Sequence, residues 1–184
     1  MKNTSIVDTD GVNVYVTSKI NSKTAGRVLL GSTIIVLVVL YISLLILIDF
    51  TEMGKASIPI ILIPTIFLFI LSRYLLWNIY GEERIIINSK TLTYFYGYGF
   101  FMTNPSTISH NKLGLGFRIT DNIDAENFGR MTFVSYSLAT NLPENIHETA
   151  VEIHEETAAE IKELLSKVLF DEFNEKKGFS YFEN

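Results

Sequence analysis

Apolar residues run almost unbroken from Val28 to Ile48 and again from Ile58 to Leu76, with a short polar connector, Asp49 to Ser57, between them. At roughly 1.5 Å per residue the first run makes a helix about 31 Å long, the thickness of a hydrocarbon core. Two such runs in tandem predict a transmembrane hairpin, with helices over about 28–48 and 58–79, rather than a buried pair in a soluble core. The first run follows a polar tail, residues 1–27, and ends at Asp49, unlike the short apolar stretch of a cleavable signal peptide, so it is expected to be retained. Pro59 and Pro64 fall in the first two turns of the second helix, where their cost in a membrane is low. Arg73 is the only charge in the second run. At mid-bilayer it would cost about 2.5–3.5 kcal/mol, so its side chain is expected to reach for the nearer surface, beside an aromatic belt of Trp77 and Tyr80.

After Gly81 the pattern shortens to that of strands. Glu83 to Asn88 and Thr91 to Phe95 are rich in β-branched and aromatic residues, and Asn88, Ser89 and Lys90 between them predict a hairpin turn. Further strands are expected at Tyr96 to Met102, Thr107 to His110, Leu113 to Thr120, Arg130 to Ser137 and Ala150 to His154. Turns are expected at Thr103 to Ser106 and Asn141 to Glu144. From about Glu156 to Phe173 the spacing of Ile161, Leu164, Leu165, Val168 and Leu169 predicts an amphipathic helix. Thr157 and Glu160 have capping-box spacing; Glu155 and Glu156 would instead suit a start one turn earlier. The sum is a helical membrane hairpin plus an α+β domain over residues 81–175. That domain is expected to be a small antiparallel sheet or partly open barrel closed by its C-terminal helix.

Charge adds orientation. Lys19, Lys23 and Arg27 precede the first helix and Arg73 ends the second, whereas the connector sets Lys55 against Asp49 and Glu52. The positive-inside rule therefore predicts that both termini are cytoplasmic. Of the formal net charge of −5, residues 81–184 carry nine basic against sixteen acidic side chains. Such a domain is repelled by an anionic leaflet and has no electrostatic footprint for nucleic acid. The absence of cysteine excludes disulfides, thiolate zinc sites and a cysteine nucleophile, and fits a reducing compartment.

Three segments carry a family likeness: Val14 to Ile20 before the hairpin, Trp77 to Ile85 leading into the first strand, and Ala158 to Leu165 in the last helix. Together with the order of elements they resemble the bacterial membrane proteins with a pleckstrin-homology-like domain. The resemblance covers most of the chain and implies two roughly orthogonal sheets capped by a helix, a place in the bacterial inner membrane, and no established enzymatic role. Superfamily members that grip inositol phosphates are similar in clustering Lys and Arg around the first hairpin. Here that turn offers only Lys90, with Arg84 nearby, too few for a multiply phosphorylated headgroup.

No motif requires catalysis or a cofactor. Gly97-Tyr98-Gly99 follows the second helix instead of lying between two membrane helices, so it reads as a bent strand and not a potassium filter. Gly114-Leu115-Gly116 lacks the third glycine and following helix of a dinucleotide fingerprint. Asp121, Asp124, Glu126 and Asn127 lack the alternation of a calcium loop. His110, His147 and His154 have neither metal-ligand spacing nor a cysteine partner. Glu82 and Glu83 read as the junction of helix and strand. Phe179, Tyr181 and Phe182 in the tail, residues 176–184, read as a frayed end or a short docking peptide. The expected function is binding: a protein-interaction or scaffold module, alone or as a homo-oligomer, with a membrane-lipid sensor or an accessory subunit of a transporter or enzyme as alternatives. Arg27, Arg73, Trp77 and Tyr80 are the expected membrane-interface residues. Arg84, Lys90, Phe100 and Phe101 are the candidate lipid or partner contacts.

Overall fold

The computed structural model describes residues 3–47, 54, 57–123, 126–137, 140 and 142–173. Most of the connector, Asp124 and the tail 176–184 lie outside the described residues. Two apolar helices, α1 (Thr24–Leu47) and α2 (Ser57–Tyr80), are each 24 residues long and bury none of their residues within the molecule. At about 36 Å each is long enough to span a membrane. They meet through Tyr41, whose hydroxyl donates to the Ile61 carbonyl at 3.0 Å and lies 2.8 Å from Thr65 Oγ1. Pro64 lies within α2, two turns from its start.

The segment expected as a polar tail is part of the sheet. β1 (Thr4–Thr9) and β2 (Val14–Lys19) form a hairpin, and β2 pairs with β3 (Gly81–Ile87), although the whole helical hairpin lies between them in sequence. The domain is therefore discontinuous and does not begin at residue 81. Val14 and Val16, which alternate with half-exposed Tyr15 and Thr17, are fully buried against Ile85 and Ile87. At the β1–β2 turn, Gly11 adopts a positive φ of 86°. The Asp10 carboxylate there accepts from the backbone of Val12 and Asn13 and from Tyr15 Oη, which lowers its pKa well below the usual range.

The first sheet continues as a meander through β4 (Thr91–Tyr98) and β5 (Ser106–Ser109), in the order β1-β2-β3-β4-β5. The expected turn at Asn88 forms, with its Oδ1 accepting from the Lys90 and Thr91 amides at 2.9 and 2.8 Å. Tyr96 to Met102 is not a separate strand. β4 runs through Tyr98, the chain turns at Gly99 (φ 88°), and Met102 bridges back to Gly97. The second sheet comprises β6 (Leu113–Ile123), β7 (Glu126–Tyr136) and β8 (Pro143–Glu148), with the two-residue β9 (Ile153–His154) also pairing with β7. Residues 143–148 were expected to begin in a turn. They pair instead because β7 supplies a full edge, which offsets their weak apolar pattern. Ala150 to Glu152 fall short of the strand expected there.

Helix α3 (Glu155–Phe173) starts at the earlier of the two expected positions. Its cap is not the Thr157–Glu160 pair: His154 Nδ1 accepts from the Glu156 amide at 3.2 Å. Ala158, Ile161, Leu165 and Val168 face a core built from both sheets, with Leu92, Leu113, Met131 and Phe133 at its centre. Among the described residues no strand pairing joins the two sheets. The domain is two packed antiparallel sheets with a helix over them, and it is not a closed barrel.

Candidate functional site

On β3 every second residue faces the core: Gly81, Glu83, Ile85 and Ile87. Cross-strand register sets Ile87 beside Val14 and Leu92, Ile85 beside Val16 and Tyr94, and Glu83 beside Ser18 and Tyr96. The inner face is thus apolar at one end and polar at the end next to α2. Glu83 is 1% exposed. A buried carboxyl is costly unless each oxygen is satisfied. Glu83 Oε1 lies 3.1 Å from His147 Nε2 on β8, and Oε2 accepts from the amides of Ala150 and Val151 at 2.8 and 3.0 Å. Tyr94 stacks on the His147 ring with centroids 4.0 Å apart. Burial, together with the nearby Glu83, pushes the Tyr96 phenol up to about 12. This cluster ties one sheet to the other. With both carboxyl oxygens engaged and His147 buried, the cluster clamps β3 to β8.

The second cluster lies where helix becomes strand. Tyr80 ends α2 and Gly81 begins β3 without a linker. A Cβ on Gly81 would collide with the Trp77 carbonyl oxygen, so only glycine fits this corner. The Ile20 amide donates to the Gly81 carbonyl at 2.9 Å, and Lys19 Nζ lies 3.3 Å from Glu82. Arg27 Nε donates to Ser22 Oγ at 2.9 Å, and that hydroxyl donates to the Asn78 carbonyl at 2.7 Å. Both helices are thereby fastened to the same end of the first sheet.

Arg73 lies two turns back along α2. Its Nε and Nη2 donate to Tyr98 Oη at 3.3 and 3.0 Å, and its guanidinium sits 5.1 Å from the Tyr98 ring centroid. Trp77 packs edge-on against Tyr96 and tilted against Tyr98, Phe101 stacks on Tyr98, and Tyr80 meets Phe100. All four expected interface residues belong to this junction.

The four expected contact residues do not form one site. Phe100 and Phe101 belong to the loop beside α2. Lys90 is exposed in the β3–β4 turn at the far end of the sheet, about 20 Å away over six strand steps. Arg84 pairs with Glu82 on the outer face and lies 6.0 Å from the Phe95 ring centroid. Glu83, Tyr94, Tyr98 and His147 were not singled out as a site from the sequence. The signal for Glu83 was an acidic residue in register with the apolar positions of β3. For His147 there was none, because its partner is 64 residues away.

Among the described residues no cluster of three or more histidine or carboxylate side chains is arranged to hold a metal ion. No protein-family model, curated protein or solved structure matches this chain.

Proposed function

We propose that this chain is a non-enzymatic bacterial inner-membrane protein whose pleckstrin-homology-like domain serves as a cytoplasmic scaffold or oligomerisation module. The carrying observation is the insertion of the helical hairpin between two adjacent paired strands, β2 and β3. If α1 and α2 cross the bilayer, both flanks of the hairpin lie on one side, and the basic residues around Arg27 and Arg73 select the cytoplasm. A module held by two chain crossings and a linker-free corner has a fixed orientation to the membrane, which suits a docking platform more than a tethered catalytic domain. Two packed antiparallel sheets with a C-terminal helix agree with the pleckstrin-homology-like plan. The first sheet leaves the outer edge of β5 for strand addition by a partner or a second copy.

The test is the mass of the full chain extracted in a native-like membrane particle. A defined homo-oligomer or a stoichiometric second protein is expected. A monomer accompanied by no protein overturns the scaffold reading.

A further inference from the structure

Strand β4 runs towards the end of α2, and Tyr98 lies in register with Gly81, the first residue after the helix. The turn that follows, at Gly99, stays beside α2. Phe101 and Thr103 lie beside Phe69, Ser72, Arg73 and Leu76, and the six residues enclose a groove of about 240 Å³. Phe69 is eleven residues before the end of α2, so the groove reaches back about 16 Å along the helix. The β4–β5 loop therefore packs against the apolar helix through Phe101 and Thr103, and it exposes Phe100 (78%), which sits beside Tyr80 at the end of α2, and Met102 (56%). No strand or helix covers them among the described residues.

Phe69, Leu76 and Phe101 make an apolar wall that is continuous with the exposed surface of α2. Arg73 stands among them, and the Ser72 and Thr103 side chains add polarity. Tyr98 holds the guanidinium from one side, and no carboxylate among the described residues pairs with it. A cation at the boundary of an apolar groove, lacking an acidic partner, complements a phosphate attached to an acyl chain.

We propose that this groove binds one anionic phospholipid, with its phosphate on Arg73 and an acyl chain along Phe69, Leu76 and Phe101, while Phe100 and Met102 anchor the loop in the leaflet. The occupant is a lipid and not a free phosphate because the wall is apolar and faces where the bilayer would be. The proposal rests on the membrane placement above but not on the scaffold role. It assigns lipid contact to the α2–loop junction and none to Lys90.

Trp77 is the chain's single tryptophan and packs on Tyr98, so its fluorescence reports on the groove. The full chain is placed in phosphatidylcholine vesicles containing a minor fraction of brominated phosphatidylglycerol or, separately, of brominated phosphatidylcholine. Quenching by the anionic lipid should exceed its mole fraction with about a fivefold preference, the size of one basic side chain acting near a membrane surface. Arg73→Gln should abolish the preference, whereas Arg73→Lys and the distal Lys90→Gln should keep it. Equal quenching by both lipids in the native chain, or a preference that survives Arg73→Gln, overturns the lipid site and leaves the membrane placement standing. Absence of quenching by either lipid overturns the placement itself. Should Arg73→Gln misfold, shown by a red-shifted Trp77 emission, the lysine variant and the native lipid comparison still decide.

Discussion

Glu83 and His147 meet across the interior of the domain, Oε1 to Nε2 at 3.1 Å, each almost fully shielded from water. One stands on the strand that continues from the apolar helix α2, the other on the third strand of the opposite sheet. Removing the acceptor of a buried hydrogen bond leaves its donor unsatisfied, at a cost of about 1–3 kcal/mol. Glu83→Ala should approach that loss, since it also strands the Ala150 and Val151 amides. Glu83→Gln, which keeps an acceptor, should lose less. Guanidinium unfolding followed by Trp77 emission measures both. A loss below about 0.5 kcal/mol for the alanine variant would mean that the clamp contributes nothing to holding the sheets together.

The first strands are structural and not an appendage. Deleting residues 1–19 removes β1 and β2 and uncovers Ile85 and Ile87, so the remaining domain should be digested rapidly by protease in membranes where the full chain resists. Equal resistance would show that the β2–β3 pairing is dispensable.

Gly81→Ala drives a methyl group into the Trp77 carbonyl at the corner between helix and strand. Overpacking of this kind costs about 1–3 kcal/mol. A shifted Trp77 emission with a lowered thermal midpoint is expected. An unchanged midpoint would show that the corner has slack.

His110 is buried beside the β3–β4 turn, and desolvation holds its imidazole below the usual histidine range despite contacts with the Asn88 and Thr91 backbone. The unfolded chain then binds more protons than the folded one. Stability should therefore be full above about pH 6.5 and fall as pH drops from there towards the lower folded value. His110→Gln should flatten that slope. Glu82 acts in a separate window: burial raises its pKa, but Arg84 and Lys19 outweigh this and hold it low. Its contribution is lost only as pH falls below about 4.3. Melting temperatures between pH 7 and 2.5 distinguish the two. A His110→Gln variant with the native pH slope would remove His110 from the account.

By itself the sequence determined what depends on local pattern. Runs of about twenty apolar residues identify two helices long enough for a bilayer. Richness in β-branched residues gave the strand of Ile85 and Ile87, Asn88 to Lys90 gave its turn, and a 3.6-residue period gave the stripe of Ile161, Leu165 and Val168. Tertiary structure decided what depends on distant pairing. Val14 and Val16 look like part of a polar tail until β3, beyond the helical hairpin, covers them. Residues 143–148 become a strand only because β7 lies beside them, and Glu83 becomes a clamp only when β8 brings His147 into reach. Strand pairing and buried polar contacts take their energy from partners far away in the chain, whereas hydrophobic periodicity is written in neighbouring residues.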